Sequence, residues 1–170
     1  MQHPFTDLPG FQESARPLQW RLDYFDALSS HSLYDILQLR VDVFVVEQYC
    51  PYPELDGRDQ TAMHVQGYSD QGLTAYARIL PPDAADRVWI GRVIVAASRR
   101  GQGDGRTLMQ QAMNWVDAAY PDREVWLGAQ VVSQGFYESL GFAVAGEGYL
   151  EDDIPHVPMA KRPDQAATQR

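Results

Sequence analysis

The sequence is poor in cysteine. Cys50 is the only one in 170 residues, so no internal disulfide can form and a cysteine-rich zinc site is excluded. Histidine is scarce too: His3, His31, His64 and His156 show no metal-ligand spacing, and no metal is expected. No apolar run approaches the roughly 20 residues that cross a bilayer. Met1 to Trp20 lacks a basic start followed by an apolar stretch, so no secretory signal is read there. These absences lead to the expectation of a cytoplasmic protein without a membrane partner. Basic residues are outnumbered, 14 Lys and Arg against 23 Asp and Glu, for a net charge of -9. A field of that sign repels phosphate backbones and anionic lipid, so nucleic acid is not expected as a partner. No repeat or low-complexity segment interrupts the chain.

What is present is a globular profile, 45% hydrophobic and 22% charged, long enough for one domain with a buried core. Pro4, Pro9, Gly10 and Pro17 mark a flexible arm over residues 1–17, ahead of a single domain over 18–161 and a polar, flexible tail over 162–170. Leu18 to Phe25 alternates as a strand. Ser30 and Ser32 are placed to cap a helix carrying Leu33, Ile36, Leu37, Arg40 and Phe44. The β-branched run Val41, Val43, Val45, Val46 then asks for a second short helix or a turn. Pro51, Pro53 and Asp56-Gly57 make Tyr49 to Thr61 a loop. Met63 to Tyr68 and Leu73 to Leu80 read as a hairpin about Ser69 to Gly72. Val88 to Val95 is apolar on both faces, the pattern of a central strand.

A helix is expected from about Arg106 to Tyr120, with Leu108, Ala112, Trp115, Val116 and Ala119 buried and Pro121 as its stop. Val125 to Ala129 is a strand. Ser133 is placed to cap a short helix turning Phe136, Tyr137 and Leu140 inward, with Gly141 at its end. Phe142 to Ala145 and Ile154 to Ala160 close the order. Hairpin strands followed by strand–helix–strand–helix imply an α/β or α+β fold: a mixed, twisted sheet of about six or seven strands with helices on both faces.

The segment from Arg92 to Arg106 carries the chemistry. An apolar strand runs into a Gly-rich turn that opens a helix, where unpaired N–H groups and the helix dipole favour an anion. Four arginines and one acid, Asp104, make this window +3 inside a -9 protein. Arg99, Arg100 and Arg106 put positive charge where a pyrophosphate needs it. The Gly-Lys-Ser/Thr ending of a P-loop is absent, and Gly101, Gly103 and Gly105 do not space as the dinucleotide fingerprint does. A turn that merely links strand to helix is the plainer alternative.

Arg100-x-x-Gly103-x-Gly105 resembles the acetyl-CoA signature of GCN5-related N-acetyltransferases (GNAT). Phe136-Tyr137-Glu138-Ser139-Leu140-Gly141-Phe142 resembles that superfamily's second motif. Val43 to Gln48, Cys50-Pro51-Tyr52, Asp56-Gly57, Tyr76 to Leu80, Ile90 to Val95, Leu127 to Gln130 and Ile154-Pro155-His156 are similar, in order, to the ElaA family of bacterial acetyltransferases. The likeness runs from about Leu18 to Lys161. Asp153 stands where that family has Gly, and Asp104 puts an acid in the phosphate loop, compatible with anion binding if it points to solvent.

The resemblance implies a mostly antiparallel sheet with a splay between its two central strands, and acetyl-CoA as co-substrate. It implies direct transfer of acetyl to a primary amine in a ternary complex, the acceptor being a small molecule or a protein or peptide amine. The cofactor site would comprise Val93, Ile94 and Val95 through their backbone, then Arg100, Gly101, Gln102, Gly103, Asp104, Gly105 and Arg106. Tyr137 would be the general acid. Glu47 would be the base or hold the amine, with His64 and His156 as further acceptor-side residues. Arg78 and Arg92 would pair with an acid, Glu47 among the choices. Three alternatives stay open: a non-catalytic acetyl-CoA sensor, an acyl-homoserine-lactone-synthase-like acyltransferase and a generic nucleotide-binding protein. The oligomeric state does not follow from the residues, and a homodimer is left open.

Overall fold

The computed structural model describes residues 16–163. The arm expected over residues 1–17 and the tail expected over 162–170 therefore lie almost wholly outside the described residues. Eight strands form one sheet: β1 (Gln19–Tyr24), β2 (Met63–Ser69), β3 (Gly72–Leu80), β4 (Val88–Val95), β5 (Val125–Gln130), β6 (Ala143–Val144), β7 (Tyr149–Glu151) and β8 (Ile154–Lys161). Their order is β1-β2-β3-β4-β5-β8-β6, with β7 paired on β8. All pairings are antiparallel except the central one, β4 with β5. The count exceeds the expected six or seven because β7 was not read from the sequence. It is three residues long, with none of them buried, and closed onto β8 by Asp152 and Asp153 at φ 49° and 63°. Two successive left-handed residues make the tight hairpin turn whose twist matches its strands, and one of them, Asp153, is the position where the resemblance led to the expectation of Gly.

α1 (Ser30–Arg40) is capped by Ser29, one residue before the expected serines: its hydroxyl accepts from the Ser32 N–H at 3.0 Å. The β-branched run does not stop it. The chain widens into a π-helical segment, Val41–Glu47, and the Cys50 N–H reaches back five residues to the Val45 carbonyl at 3.1 Å. Packing overrides propensity here: Val43 is buried with Ile36 and Leu39 against Tyr76 and Ile94 of the sheet.

On the opposite face lies α2 (Asp104–Ala119), which begins two residues ahead of the expected start. Its Leu108, Met109, Ala112 and Val116 pack on Val65, Ala75, Ala77, Ile79 and Val88. The sheet is thus covered on both sides. Among the described residues, no helix is long and apolar enough to cross a membrane.

The central pair opens. β4 and β5 share only Val88↔Val125 and Trp89↔Trp126, and then part. β5 stays with β8 along its whole length, from Val125↔Lys161 to Gln130↔His156. β4 meanwhile carries a bulge opposite Ala77, with Arg92 at φ 53°. A bulge bends its strand and sharpens its twist, which turns β4 away from β5 and opens a cleft.

Candidate active site

The cleft is a cavity of about 890 Å³. One wall is the free edge of β4. The Ala96 N–H donates to the Thr74 carbonyl at 2.8 Å, which fixes the alternation of the ladder. Ile94, paired with Tyr76, turns its backbone groups toward β3. Val93 and Val95 turn theirs into the cleft. Of the three residues expected to offer backbone groups to a cofactor, Ile94 therefore turns its own toward the sheet, while its side chain packs with Ile36, Leu39 and Val43.

The Gly-rich turn follows this edge. Gly101 and Gly103 sit at φ 76° and 87°, in the left-handed region that other residues enter only under strain. Gly103 is the N-cap of α2. Thr107 is the first residue whose N–H returns to the Gly103 carbonyl, at 3.1 Å, so the N–H groups of Asp104, Gly105 and Arg106 have no partner within the helix. A pyrophosphate fits such a start.

The acid in this loop does not point to solvent, the condition the sequence left open for anion binding. Asp104 is 8% exposed and takes Arg99 on both oxygens, Nε to Oδ2 at 2.7 Å and Nη2 to Oδ1 at 3.3 Å. Its charge is cancelled, and so is that of Arg99. Arg106 is bound to the Ser139 hydroxyl at 2.8 Å, and Gln102 to the Ser98 carbonyl at 3.1 Å. Arg100 and Gly105 line the cavity, whereas Gly101, Gln102, Gly103, Asp104 and Arg106 stand on the loop beside it.

Tyr137 lies on α3 (Gln134–Glu138), 8% exposed, and lines the cavity. Phe136 and Phe142 meet its ring edge-on at 5.1 and 6.1 Å. Burial pushes its phenol up to about 12. Among the described residues none hydrogen-bonds the Tyr137 hydroxyl. Glu47 ends the π-helical segment and also lines the cavity. Both its oxygens are held by Arg100, at 2.6 and 3.0 Å, and that hydrogen-bonded pairing keeps its carboxyl below the usual range.

The two histidines part company. His64 is fully buried and outside the cavity. Its Nδ1 lies 2.8 Å from the Tyr76 hydroxyl and its Nε2 3.0 Å from the Asp59 carbonyl. A carbonyl only accepts, so Nε2 carries the proton and Nδ1 accepts. Burial lowers its pKa further toward the neutral ring. The expected acceptor role for His64 is not met: it is a satisfied core residue. His156 lines the cavity, stacked on Tyr149 at 5.6 Å. Its Nδ1–H donates to the Ile154 carbonyl at 2.8 Å, which leaves Nε2 as an acceptor in the neutral ring.

Sequence reasoning missed the charge cluster beside the cavity, whose Asp56, Arg78 and Arg92 line it. Arg40, fully buried, donates to Glu54 at 2.8 Å and to Asp59 at 2.7 Å. Arg78 takes both oxygens of Asp56, at 2.7 and 2.6 Å, and reaches Asp59 at 2.9 Å. Arg92 shares Glu54 Oε1 at 2.6 Å. Arg78 and Arg92 therefore pair with the loop, and neither with Glu47. Burial works against the charge of Asp56 and of Asp59, yet the arginine hydrogen bonds outweigh it and hold both carboxyls below their usual range. The cluster fastens the loop from Tyr49 to Thr61, whose Cys50, Tyr52, Pro53 and Asp56 face the cavity. The Cys50 thiol is pushed up by desolvation and by Asp152 and Asp153, which makes it a poor nucleophile.

Residues 40–163 match the family model described as an acetyltransferase (GNAT) domain. The chain belongs to the GNAT acetyltransferases. It is 45% identical over 152 residues to protein ElaA of Escherichia coli, covering 88% of this chain and 99% of the relative. The crystal structure of E. coli ElaA superposes with a TM-score of 0.80 at 44% identity, over 85% of this chain and 99% of that one. A structure described as an acyl-CoA N-acyltransferase from Pseudomonas aeruginosa gives a TM-score of 0.81 at 42% identity, again over 85% and 99%. This GNAT chain is thus an ElaA-family member and an acyltransferase that uses an acyl-CoA. The cavity described above opens where β4 and β5 part.

Proposed function

We propose that this GNAT enzyme moves an acetyl group from acetyl-CoA to a primary amine by direct attack in a ternary complex. One observation carries the reading: a single cavity holds the β4 backbone edge at Val93 and Val95, the mouth of the α2 N-terminus, the buried phenol of Tyr137 and the carboxylate of Glu47. The β4 edge would pair with the amide-bearing arm of the co-substrate. The N–H groups at Asp104 to Arg106, with Gly101 to Gly103, would take its pyrophosphate. An edge N–H would polarise the thioester carbonyl.

The amine attacks as the neutral base, C–N forms, and C–S breaks. A free primary amine has a pKa near about 10.4, so it must shed a proton, and Glu47, directly or through water, receives it. Tyr137, with its pKa at about 12, stays protonated at neutral pH. It donates to the departing thiolate, and a second proton, lost by the nitrogen once C–N has formed, restores it. The products are an amide and free coenzyme A. His156 and Glu151, which also line the cavity, would face the acceptor. Coenzyme A supply makes the cytoplasm the working compartment.

Purified protein titrated with acetyl-CoA, with ATP and NAD as controls, tests the reading. Ligand at 100 times its Kd stabilises a fold by about 2.7 kcal/mol, a readily measured rise in Tm. A rise with acetyl-CoA alone supports the site; no rise, or an equal one with ATP, removes it. Tyr137→Phe should then keep binding and lose about 10²-fold in kcat in an amine screen read by thiol release. Unchanged turnover would remove Tyr137 as the acid, and no turnover with any amine in the wild type would favour a sensor.

A further inference from the structure

Two residues given separate tasks above are bound to each other. Arg100 belongs to the phosphate loop and Glu47 to the acceptor side, yet they form a two-pronged pair at 2.6 and 3.0 Å. The same guanidinium does a second thing. Its Nε donates to the Val95 carbonyl at 2.9 Å, the edge acceptor that β4 turns into the cleft. Nε, Nη1 and Nη2 are therefore all engaged, and the side chain lies from the end of β4 to the end of the π-helical segment. Both side chains remain over two-fifths exposed, so the bridge is not locked by packing.

We propose that Arg100 is a positioning residue acting through Glu47: a latch that an incoming acyl-CoA opens. This rests on the acyl-CoA site described above. A ligand amide that pairs with Val95 needs the carbonyl that Arg100 Nε now occupies, and the ligand's phosphates offer the guanidinium a stronger partner than one carboxylate. When Arg100 changes partners, the Glu47 carboxylate loses the cation that holds its proton affinity down. It then faces the cleft as an unpaired base. Binding of the first substrate thus prepares the proton acceptor for the second. An amine arriving first meets a carboxylate already taken, which makes acyl-CoA the leading substrate.

The latch makes a prediction contrary to ordinary deletion: removing a cavity-lining carboxylate should tighten the co-substrate. Glu47→Gln leaves Arg100 free, and coenzyme A should bind about two- to fivefold more tightly, the worth of one half-exposed ion pair. Loss of a negative charge near an anionic ligand would give the same sign, so the cycle is completed with Arg100→Gln. In that background no pair remains to be broken. The latch predicts that adding Glu47→Gln to Arg100→Gln leaves the coenzyme A Kd unchanged. Simple repulsion predicts that the gain persists or grows, because Glu47 is no longer neutralised.

Calorimetric titration of coenzyme A into the four proteins reads this directly, and equal melting temperatures across the set check the fold. A gain that vanishes in the Arg100→Gln background supports the latch. No gain in Glu47→Gln alone, or one that survives in the double variant, overturns it while leaving the co-substrate site intact. Failure of the wild type to bind coenzyme A would instead remove the site, and the latch with it. Initial-rate kinetics add a second readout: Arg100→Gln should raise KM for acyl-CoA while the amine-dependent rate keeps its pH profile. A profile displaced in that variant alone would show Arg100 serving Glu47 within the ternary complex, against the latch.

Discussion

Arg40→Met should be among the most damaging single substitutions in this chain. Arg40 closes α1 with no exposed surface, and its guanidinium serves Glu54 and Asp59, whose side chains are 3% and 9% exposed. It also lies 5.9 Å over the Tyr76 ring. Three arginines, at 40, 78 and 92, balance three acids, at 54, 56 and 59. Methionine fills much of the same space, so the chief loss is charge. One buried acid is left uncompensated, and breaking a buried pair costs about 3–5 kcal/mol. Against a total stability of about 5–15 kcal/mol, that is a large share. At about 2–4 °C per kcal/mol for a domain of this size, Tm should fall by roughly 6–20 °C. Urea unfolding followed by far-UV circular dichroism would measure it, with Arg162→Gln as control, since Arg162 pairs with Glu124 while 87% exposed and should cost about 1 kcal/mol or less. Arg40→Lys keeps the charge but reaches one carboxylate, and should fall between. A cost below about 1 kcal/mol for Arg40→Met, at unchanged m-value, would refute the view that this cluster fastens the loop.

Acid should unfold the protein through the same cluster. Asp56 and Asp59 bind protons more weakly in the folded chain than in the unfolded one. Their contribution is thus full above the unfolded value near about 3.9 and is lost as pH falls through it toward the folded values. His64 is also depressed, so below its unfolded value of about 6.5 the unfolded state gains the extra proton. Stability should therefore begin to fall below about pH 6.5 and drop steeply below about pH 4; a flat curve down to pH 3 would contradict both assignments. Gly128→Ala should act on the acceptor. A Cβ there would run into the Tyr149 hydroxyl and push that ring off its stack on His156, raising KM for the amine while leaving acyl-CoA binding unchanged. Equal effects on both substrates would contradict it.

The hairpin of β2 and β3, the central β4 and most of the buried stripe of α2 were legible because period-two and period-3.6 patterns coincide with real burial there, although Trp115 is only partly buried and Ala119 is exposed. The Gly-rich turn was legible because positive φ leaves its mark as glycine. β7 had no such mark, since three exposed residues bury nothing and therefore alternate with nothing. The helix beyond Arg40 was obscured by β-branched residues that propensity disfavours and packing on Tyr76 and Ile94 retains. His64 was misplaced for a related reason. A strand histidine has the same spelling whether it faces a cleft or a core, and only the Tyr76 hydroxyl and the Asp59 carbonyl on its two nitrogens decide. The ion cluster was unreadable because its partners stand as far apart as Glu54 and Arg92, and one sequence does not record which charge meets which.

That pairing changes what the cationic window means. The sequence between Arg92 and Arg106 carries an excess of +3, which suggested a ready-made attraction for phosphate. In the folded chain Arg92 meets Glu54, Arg99 meets Asp104 and Arg100 meets Glu47. Arg106 alone of the four pairs with no acid among the described residues and bonds only the Ser139 hydroxyl and carbonyl. The local field that greets an anion is therefore much weaker than the count of arginines implies. Backbone N–H groups at the start of α2 must supply the first hold, for they carry no counter-charge to be displaced. Of the three paired arginines, Arg92 and Arg99 are held by acids that are themselves mostly buried, so releasing either strands a carboxylate at high cost. Only the Arg100 pair has both ends open to water. A pair of that kind costs little to break, which makes Arg100 the one acid-paired cation in the window that a phosphate can recruit cheaply and Glu47 the one carboxylate such recruitment sets free.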